Sequence, residues 1–372
     1  MIAELCAGIA GWLVAASTAV VPAMPGTQGA PERLRFAPKP GIVLARNLYI
    51  SHELALESMG QTLNGGPFRP ERIAGSISTW HKVTVDDELL AVADGRPTHM
   101  KRTFTDLGGG GKLRFGPESG PRTREEEAVL TSPMRSRTVD LVWIPEESSW
   151  SRCWSQLEAD EVWLAGLEGD SDLLQLLPPN EVSVGDTWEI PLTAVRSVLA
   201  PGGNTLITPR TRNVFSRTVE IGVGGDFSEL LSTDLSGSFR ARLAEVREEG
   251  ASRLARIELA LESLHSIADR TELWRTSMPV EEKREKARLI GAFLEHALDA
   301  KGELVWDLTA GHARSLKLSG NERFVTTLTK DLAGPNGTAR MDAQSTFAGT
   351  LSLDFTVEER AAPVGPAQAG GK

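Results

Sequence analysis

The chain is poor in the residues that most often carry enzyme chemistry or covalent cross-links. Its 372 residues include only two cysteines, six histidines and one tyrosine. Cys6 lies within an N-terminal apolar run, so Cys153 is the one cysteine beyond it and cannot form an intramolecular disulfide with another. Its surroundings, WSRCWS, lack the His or Asn of a nucleophile signature, and we interpret Cys153 as a small buried hydrophobic residue.

Motifs for metals, nucleophiles and phosphates are also missing. HExxH and GxSxG do not occur. The run from Gly108 to Lys112 departs from a phosphate-binding loop, because Asp106 stands where its first glycine belongs and Leu113 replaces its Ser or Thr. We predict a flexible hairpin tip there.

Histidine spacing gives no local metal motif and leaves open only a site assembled from distant strands, drawn from His52, His81, His99, His265, His296 and His312. The sequence therefore predicts no catalytic residue, no cofactor and no metal, and a protein that is not an enzyme.

Positive charge is in deficit, with 40 Lys and Arg against 50 Asp and Glu and a net charge of −10. Nucleic acids and anionic lipids are polyanions, so neither is an expected partner. The content of 40% hydrophobic and 24% charged residues is typical of folded, water-soluble proteins. The identity of any partner stays unknown at this point.

Long apolar runs are absent except at residues 5–21. With Val21 and Ala23 at the −3 and −1 positions, we interpret residues 1–23 as a signal peptide, and the protein as exported to the periplasm or the extracellular space. Glu4 and the lack of Lys or Arg before the run depart from that pattern. The alternative is an uncleaved N-terminal anchor, which is short for a bilayer span. No integral membrane domain is expected beyond this segment.

Apolar and polar residues alternate with period two in many segments, as in strands with one buried face. At about 3.3 Å per residue the first run spans about 50 Å, and strands of that length coil. Turn signals at REEGAS (247–252) and TAGH (309–312) predict antiparallel hairpins. We predict a mainly β (α+β) fold, with long curved antiparallel sheets or an open half-barrel and a few covering helices. The clearest apolar positions are Ile42, Leu44, Leu48, Ile50, Leu54 and Leu56, then Phe347, Leu351, Leu353, Phe355 and Val357.

Helical patterns are fewer and lie mostly between residues 150 and 200. They predict short helices near EADEVWLAGLE, at Ser171–Leu177 and after Pro191. Residues 281–298 fit either a helix or a strand, and we favour a helix that ends before a strand starting near Ala297. The resulting organisation is a strand-rich half at 24–200 with a helical insert near 150–200, an antiparallel β half at 201–360, and a disordered tail at 361–372.

Tryptophan is abundant for a chain with one tyrosine, with nine residues. Trp143, Trp188 and Trp306 share the apolar parity of strands and are expected in the core. Another group lies in a polar segment, where it could line a groove for an apolar or carbohydrate ligand or pack helices onto the sheet: Trp150, Trp154 and Trp163.

The stretch PPNEVSVGDTWEIP, from Pro178 to Pro191, contains the most distinctive residues. Gly185 and Asp186 are expected to form a structural corner in an extended segment: Gly185 takes a positive φ, and the Asp186 carboxylate accepts hydrogen bonds from N–H groups just beyond it. Trp188 would seal the corner against the core. The apolar side chains on the two sides of the corner are expected on the same face of the extended segment: Val182, Val184, Trp188 and Ile190.

The VGDTW stretch and the WDLTAGH hairpin resemble segments of uncharacterised exported bacterial β-rich proteins, over roughly the last 200 residues. That resemblance implies no activity or site residues. A weaker likeness is to lipoprotein-carrier proteins, whose open half-barrel holds acyl chains. Two hypotheses follow: a non-enzymatic scaffold or binding module of the cell envelope, and a carrier of a lipid or other apolar ligand on the concave sheet face. A hydrolase is a third, less favoured class.

Overall fold

The computed structural model describes residues 30–68, 73–117, 124–155, 160–169, 172–209, 234–272, 287–334 and 337–362. The predicted signal peptide at 1–23 lies outside the described residues. So does the predicted disordered tail at 361–372, apart from Ala361, which ends the last strand, and Ala362. The mainly β prediction is confirmed: the strands form one large 14-stranded sheet in which neighbours run antiparallel.

Most strands are far longer than the usual five or six residues. In chain order they are β1 (Ile42–Leu63), β2 (Gly66–Phe68), β3 (Ile73–Ala93), β4 (Arg96–Pro117), β5 (Arg124–Thr131), β6 (Thr138–Ile144), β7 (Ser149–Trp154), β8 (Thr187–Glu189), β9 (Thr208–Pro209), β10 (Ser236–Glu249), β11 (Ser252–Asp269), β12 (Ala287–Asp307), β13 (His312–Gly334) and β14 (Gly337–Ala361).

The main path through the sheet is β7-β6-β4-β3-β1-β14-β13-β12-β11-β10-β8, so β7 and β8 are its ends. β1 pairs with β14 from Ile42 opposite Ala361 to Leu63 opposite Met341, which places the first and last long strands side by side at its centre. The two sequence halves therefore share one sheet. The predicted REEGAS and TAGH turns are confirmed between β10 and β11 and between β12 and β13, where Gly250 and Gly311 have φ of 63° and 73°.

A covering segment, described at residues 160–169, 172–186 and 190–206, lies across the buried, inner face of the sheet at one end. It contacts β4 through Arg102, which donates to the Gly169 carbonyl, and it contacts β8 through Trp188, which donates to the Leu176 carbonyl. Its buried residues join one core with those of the strands: Leu164, Leu167, Leu173, Leu176, Val195, Val198 and Leu199.

The predicted helices of the covering segment are mostly shorter than expected. The first two reduce to single 3₁₀ turns at Glu161–Leu164 and Leu174–Leu176, and the helix after Pro191 is confirmed as α1 (Ala194–Leu199). Segments this short cannot sustain helix by local hydrogen bonds alone, so packing on the sheet decides their backbone.

The preference for a helix at 281–298 was wrong from Ala287 onward, while residues 281–286 lie outside the described part. β12 runs through Ala287–Asp307 and pairs with β11 on one side and β13 on the other. Two flanking strands satisfy its backbone groups, and this outweighs the helical spacing of its apolar residues.

The glycine run was also misassigned, because Gly108–Gly111 lies in the middle of β4 between β3 and β5 and not at a hairpin tip. A Cβ at Gly109 would stand 2.5 Å from the Trp80 carbonyl oxygen, so the run permits a close approach of strands. Cys153, expected in the core, is exposed on β7. Its outward position in a short end strand explains the difference.

Candidate functional site

The inner face of the sheet carries a cluster of ionised side chains, which we call the Arg–Asp cluster. It consists of Arg46 on β1, Asp87 on β3, Arg102 on β4 and Asp172 from the covering segment, with side chains no more than 2% exposed. Arg102 donates from Nε and Nη2 to the two oxygens of Asp87, at 2.8 and 2.9 Å. Arg46 is ion-paired with both Asp87 and Asp172. Two positive and two negative groups thus balance in a buried site.

The Arg–Asp cluster also attaches the covering segment to the sheet. Arg102 donates from Nη1 to the Glu168 carbonyl at 2.8 Å and from Nη2 to the Gly169 carbonyl at 3.2 Å. The cavity beside Arg46 and Arg102 has a volume of about 10 Å³. That is about the space of one water molecule, and the cavity is far too small for an acyl chain.

A second buried group, the His–Glu cluster, lies farther along the same face. His52 Nδ1 is 2.8 Å from Glu322 Oε1, and His296 Nε2 is 3.6 Å from Glu322 Oε2. All three side chains are 0% exposed. His296 also stacks on Phe324, with ring centroids 4.4 Å apart.

The two ends of the His–Glu cluster are brought together across an intervening strand. Glu322 on β13 and Leu54 on β1 both pair with Gly349 of β14. A Cβ there would stand 1.8 Å from the Glu53 carbonyl oxygen. Gly349 thus permits β14 to approach β1 closely at the position where Glu322 on one side of β14 and His52 on the other meet.

Burial and charge act in opposite directions on the pKa values of the His–Glu cluster. Burial lowers the pKa of His296 and outweighs the attraction of the nearby Glu322 carboxylate, which raises it. For Glu322, burial raises the pKa, but the charge and hydrogen bond of His52 and the nearby His296 together hold it below its ordinary value. At neutral pH the cluster therefore contains a Glu322 carboxylate and a neutral His296.

Two hydroxyl groups border the His–Glu cluster. Ser266 is directly opposite His296, and Thr79 is directly opposite His52. Both side chains are 0% exposed, and neither hydroxyl makes a hydrogen bond within the described residues. Ser266, His296 and Glu322 have the composition of a nucleophile–base–acid series, yet without a Ser–His hydrogen bond or solvent access the serine is not an activated nucleophile. Across the described ranges, no three His, Cys, Asp or Glu side chains are arranged to hold a metal ion.

We expect the stability of the protein to fall as pH is lowered through the range in which the His–Glu cluster titrates. The unfolded chain takes up a proton on His296 near its ordinary pKa of 6.5, whereas the native residue stays neutral to a lower pH. This contribution is complete above pH 6.5 and is lost as pH falls toward the native pKa. Glu322 adds a contribution that is present above its ordinary pKa of 4.5 and is lost as pH falls below it.

Urea-unfolding midpoints across acidic and neutral pH measure this dependence in the wild type, in His296→Gln and in His265→Gln. His265 has a side chain 43% exposed and is the matched control. His296→Gln should flatten the change around pH 6.5, and His265→Gln should leave it intact. Equal slopes in all three proteins would contradict the assignment.

The predicted tryptophan groove residues occupy two separate contacts near β6 and β7. Trp154 and Trp163 meet edge to face at 6.3 Å, and the Arg137 guanidinium lies over both rings. Trp150 meets Trp143 at 5.5 Å. All are partly buried against the protein's own groups. Their use for a ligand stays a prediction.

The structure places Gly185 and Asp186 in a turn before β8. Gly185 has φ of 99° and donates its N–H to the Leu243 carbonyl on β10. The Asp186 carboxylate accepts from the Ser183 N–H at 2.8 Å, so its partner precedes it and does not follow it as predicted. Trp188 is half-buried and donates to the Leu176 carbonyl at 2.9 Å, while Val184, expected on the apolar face, is 44% exposed.

At this corner we expect Gly185→Val to be costly although open space surrounds the position, because valine is strained at φ of 99°. Trp188→Ala should cost about 2 kcal/mol through lost packing and a lost hydrogen bond. Asp186→Asn keeps an acceptor for Ser183 and should leave the melting temperature nearly unchanged. Differential scanning calorimetry of the three variants checks this order, and a neutral Gly185→Val would contradict it.

Sequence reasoning left open a site assembled from distant strands that includes His52 or His296, but it predicted neither buried cluster. The sequence nevertheless contained an indication of them. Arg46 and His52 occupy the positions of β1 that alternate with the exposed ones, between Leu44 and Leu54, where side chains face the core. Glu322 follows Leu318 at the apolar parity of β13 in the same way. A charged residue on the dry parity of a strand indicates a buried partner.

None of the helices in the described part of the chain has the length and hydrophobicity needed to span a membrane. No family model matches the sequence, and no curated protein matches it. Among solved structures, the chain is similar to an outer membrane channel from Pseudomonas putida F1, at 7% identity and a TM-score of 0.19, over 87% of this chain and 98% of that one. A similarity at this level carries no argument about fold or function.

Proposed function

We propose that the protein is an exported, non-enzymatic binding or scaffold module of the cell envelope. The observation that supports it best is the enclosure of the His–Glu cluster: its three titratable side chains are 0% exposed and lie against one another. The Arg–Asp cluster likewise joins strands to the covering segment. Both clusters therefore connect separate strands, or strands and the covering segment, inside the protein.

The export part of the proposal rests on the apolar run at residues 5–21 and the small residues that follow it. It is tested by expressing the full chain with a C-terminal tag, fractionating the cells and determining the N-terminus of the product by mass spectrometry. A periplasmic or secreted product beginning at Met24 supports export. A full-length product in washed membranes supports the anchored alternative, and a full-length cytoplasmic product overturns export.

The non-enzymatic part is tested with a panel of chromogenic ester, phosphate and glycoside substrates. Purified wild-type protein and His296→Gln are compared at equal concentration. Hydrolysis rates that are the same for both proteins and close to the rate in buffer alone support the proposal. Turnover by the wild type that His296→Gln abolishes would assign a hydrolase and overturn it.

An apolar carrier is the second candidate, and one observation favours it. Beyond the His–Glu cluster the inner face continues with half-buried apolar residues, including Leu56 and its partner Phe347, and Leu113, which is opposite the buried Ile77. A ligand bound there would occupy the half of the inner face away from the Arg–Asp cluster. Native mass spectrometry of the purified protein would then show lipid adducts that Phe347→Gln removes and the outward-facing Ile267→Gln retains. Protein free of adducts after mild extraction would exclude the carrier.

A further inference from the structure

The outer face of the sheet has a strip of exposed apolar side chains across β1, β3, β4 and β5. Tyr49 is 45% exposed, Trp80 39% and Val129 60%. Trp80 is directly opposite Gly110, which in turn is opposite Val129, so these positions share one row on one face. Tyr49 is on the same face of β1, diagonal to Trp80.

The rings of this aromatic strip lie nearly parallel, and the indole rests over the backbone of β4. The Tyr49 and Trp80 planes differ by 18°, with centroids 6.1 Å apart. A Cβ at Gly110 would stand 2.9 Å from Trp80 Nε1 and 3.1 Å from its Cε2. The glycine therefore leaves the space in which the indole lies over β4.

Rows of hydrogen-bonding groups flank the aromatic strip on both sides. On one side Ser78 donates to Glu53 at 2.6 Å, and Lys112 pairs with Glu127 at 2.7 Å. On the other side of Trp80, Lys82 is directly opposite Tyr49 and pairs with Asp106 at 3.0 Å. The exposed apolar side chains thus have both donors and acceptors beside them.

We propose that the aromatic strip is a binding platform for the pyranose rings of a neutral polysaccharide. A pyranose has an apolar C–H face, which stacks on aromatic rings, and a rim of hydroxyl groups, which both donate to carboxylates and accept from ammonium groups. A stable protein partner covers about 800 Å² on each side, more than a strip of three apolar side chains between charged rows offers. With a net charge of −10 the chain repels acidic glycans, which favours neutral ones.

The platform names a class of ligand for the proposed binding module. It rests on the proposed function only in one respect, which is that an exported protein encounters polysaccharides outside the cytoplasm. Affinity electrophoresis tests it directly, in native gels containing hydroxyethyl cellulose, dextran or laminarin, with alginate as an acidic control. We expect retardation by at least one neutral polysaccharide and none by alginate. Trp80→Ala and Tyr49→Ala should each weaken binding by about tenfold, as expected for one stacking contact.

Phe293→Ala is the matched control, because Phe293 is 43% exposed on another part of the sheet. Gly110→Ala tests the geometry, since its Cβ displaces the indole without removing it. Thermal unfolding verifies that each variant is folded. If Trp80→Ala does not fold, the binding result for Tyr49→Ala decides the test. Retardation by no neutral polysaccharide, or equal weakening by Phe293→Ala, overturns the platform. A wild-type dimer in analytical ultracentrifugation that Trp80→Ala dissociates would assign the strip to self-association and overturn it as well. None of these results bears on export or on the substrate panel.

Discussion

Asp87→Ala should lower the free energy of unfolding by about 3 to 5 kcal/mol, the usual cost of leaving a buried charge without its counter-ion. Asp87 is 0% exposed and is shared by Arg46 and Arg102. Its removal leaves two guanidinium groups and one carboxylate, that of Asp172, in a buried site. The covering segment should also loosen, because Arg102 holds the carbonyls of Glu168 and Gly169.

Urea unfolding followed by tryptophan fluorescence measures this loss, and limited proteolysis within residues 160–206 reports the loosening. Asp106→Ala is the matched control: its carboxylate pairs with Lys82 at the surface, where such pairs contribute about 0 to 1 kcal/mol. A loss for Asp87→Ala no larger than that of the control would mean that the Arg–Asp cluster does not stabilise the fold.

Trp306→Ala is the second substitution with a large expected effect, about 3 to 5 kcal/mol. Trp306 is 0% exposed and is one of the largest fully buried side chains, on the inner face of β12 near the TAGH turn. Within the described residues its indole N–H has no hydrogen-bond acceptor. Trp306→Phe removes that unsatisfied donor and most of the ring is kept, so we expect it to cost much less than alanine.

Trp143→Ala provides the comparison for Trp306→Ala. The sequence places both tryptophans at apolar strand positions, but Trp143 is only half-buried, with the Arg96 guanidinium 4.5 Å from its ring. Its truncation should cost about 1 kcal/mol. Chemical denaturation of the three variants ranks these costs. Equal losses for Trp306→Ala and Trp143→Ala would contradict the difference in burial.

Strand positions were predictable because a half-buried strand repeats every two residues. Leu44, Leu48, Ile50 and Leu54 are buried on one face of β1 as their spacing indicates, and Leu351, Leu353 and Phe355 do the same on β14. The hairpins at Gly250 and Gly311 were predictable because tight turns require residues that accept a positive φ. Strand parity and turn chemistry depend on residues that are neighbours in the chain, so the order of residues in the sequence is enough to predict them.

Three errors share one physical cause, which is that long-range pairing overrides local preference. β12 has helical spacing but two strand neighbours, and the glycine run of β4 is placed against Trp80 instead of in a loop. The helices expected near residues 160 and 175 become 3₁₀ turns under the packing of the covering segment. None of these partners is close in sequence.

The sequence by itself determined the class of fold, the parity of the main strands, the hairpin turns and the location of the Gly185 corner, because each depends on neighbouring residues. Only the tertiary structure decided which strands meet. It joined His52 to Glu322, 270 positions apart, and Arg46 to Asp172, 126 positions apart. It also placed the Trp80 indole over Gly110. Strand order and register set these contacts, and both arise from the packing of the whole sheet.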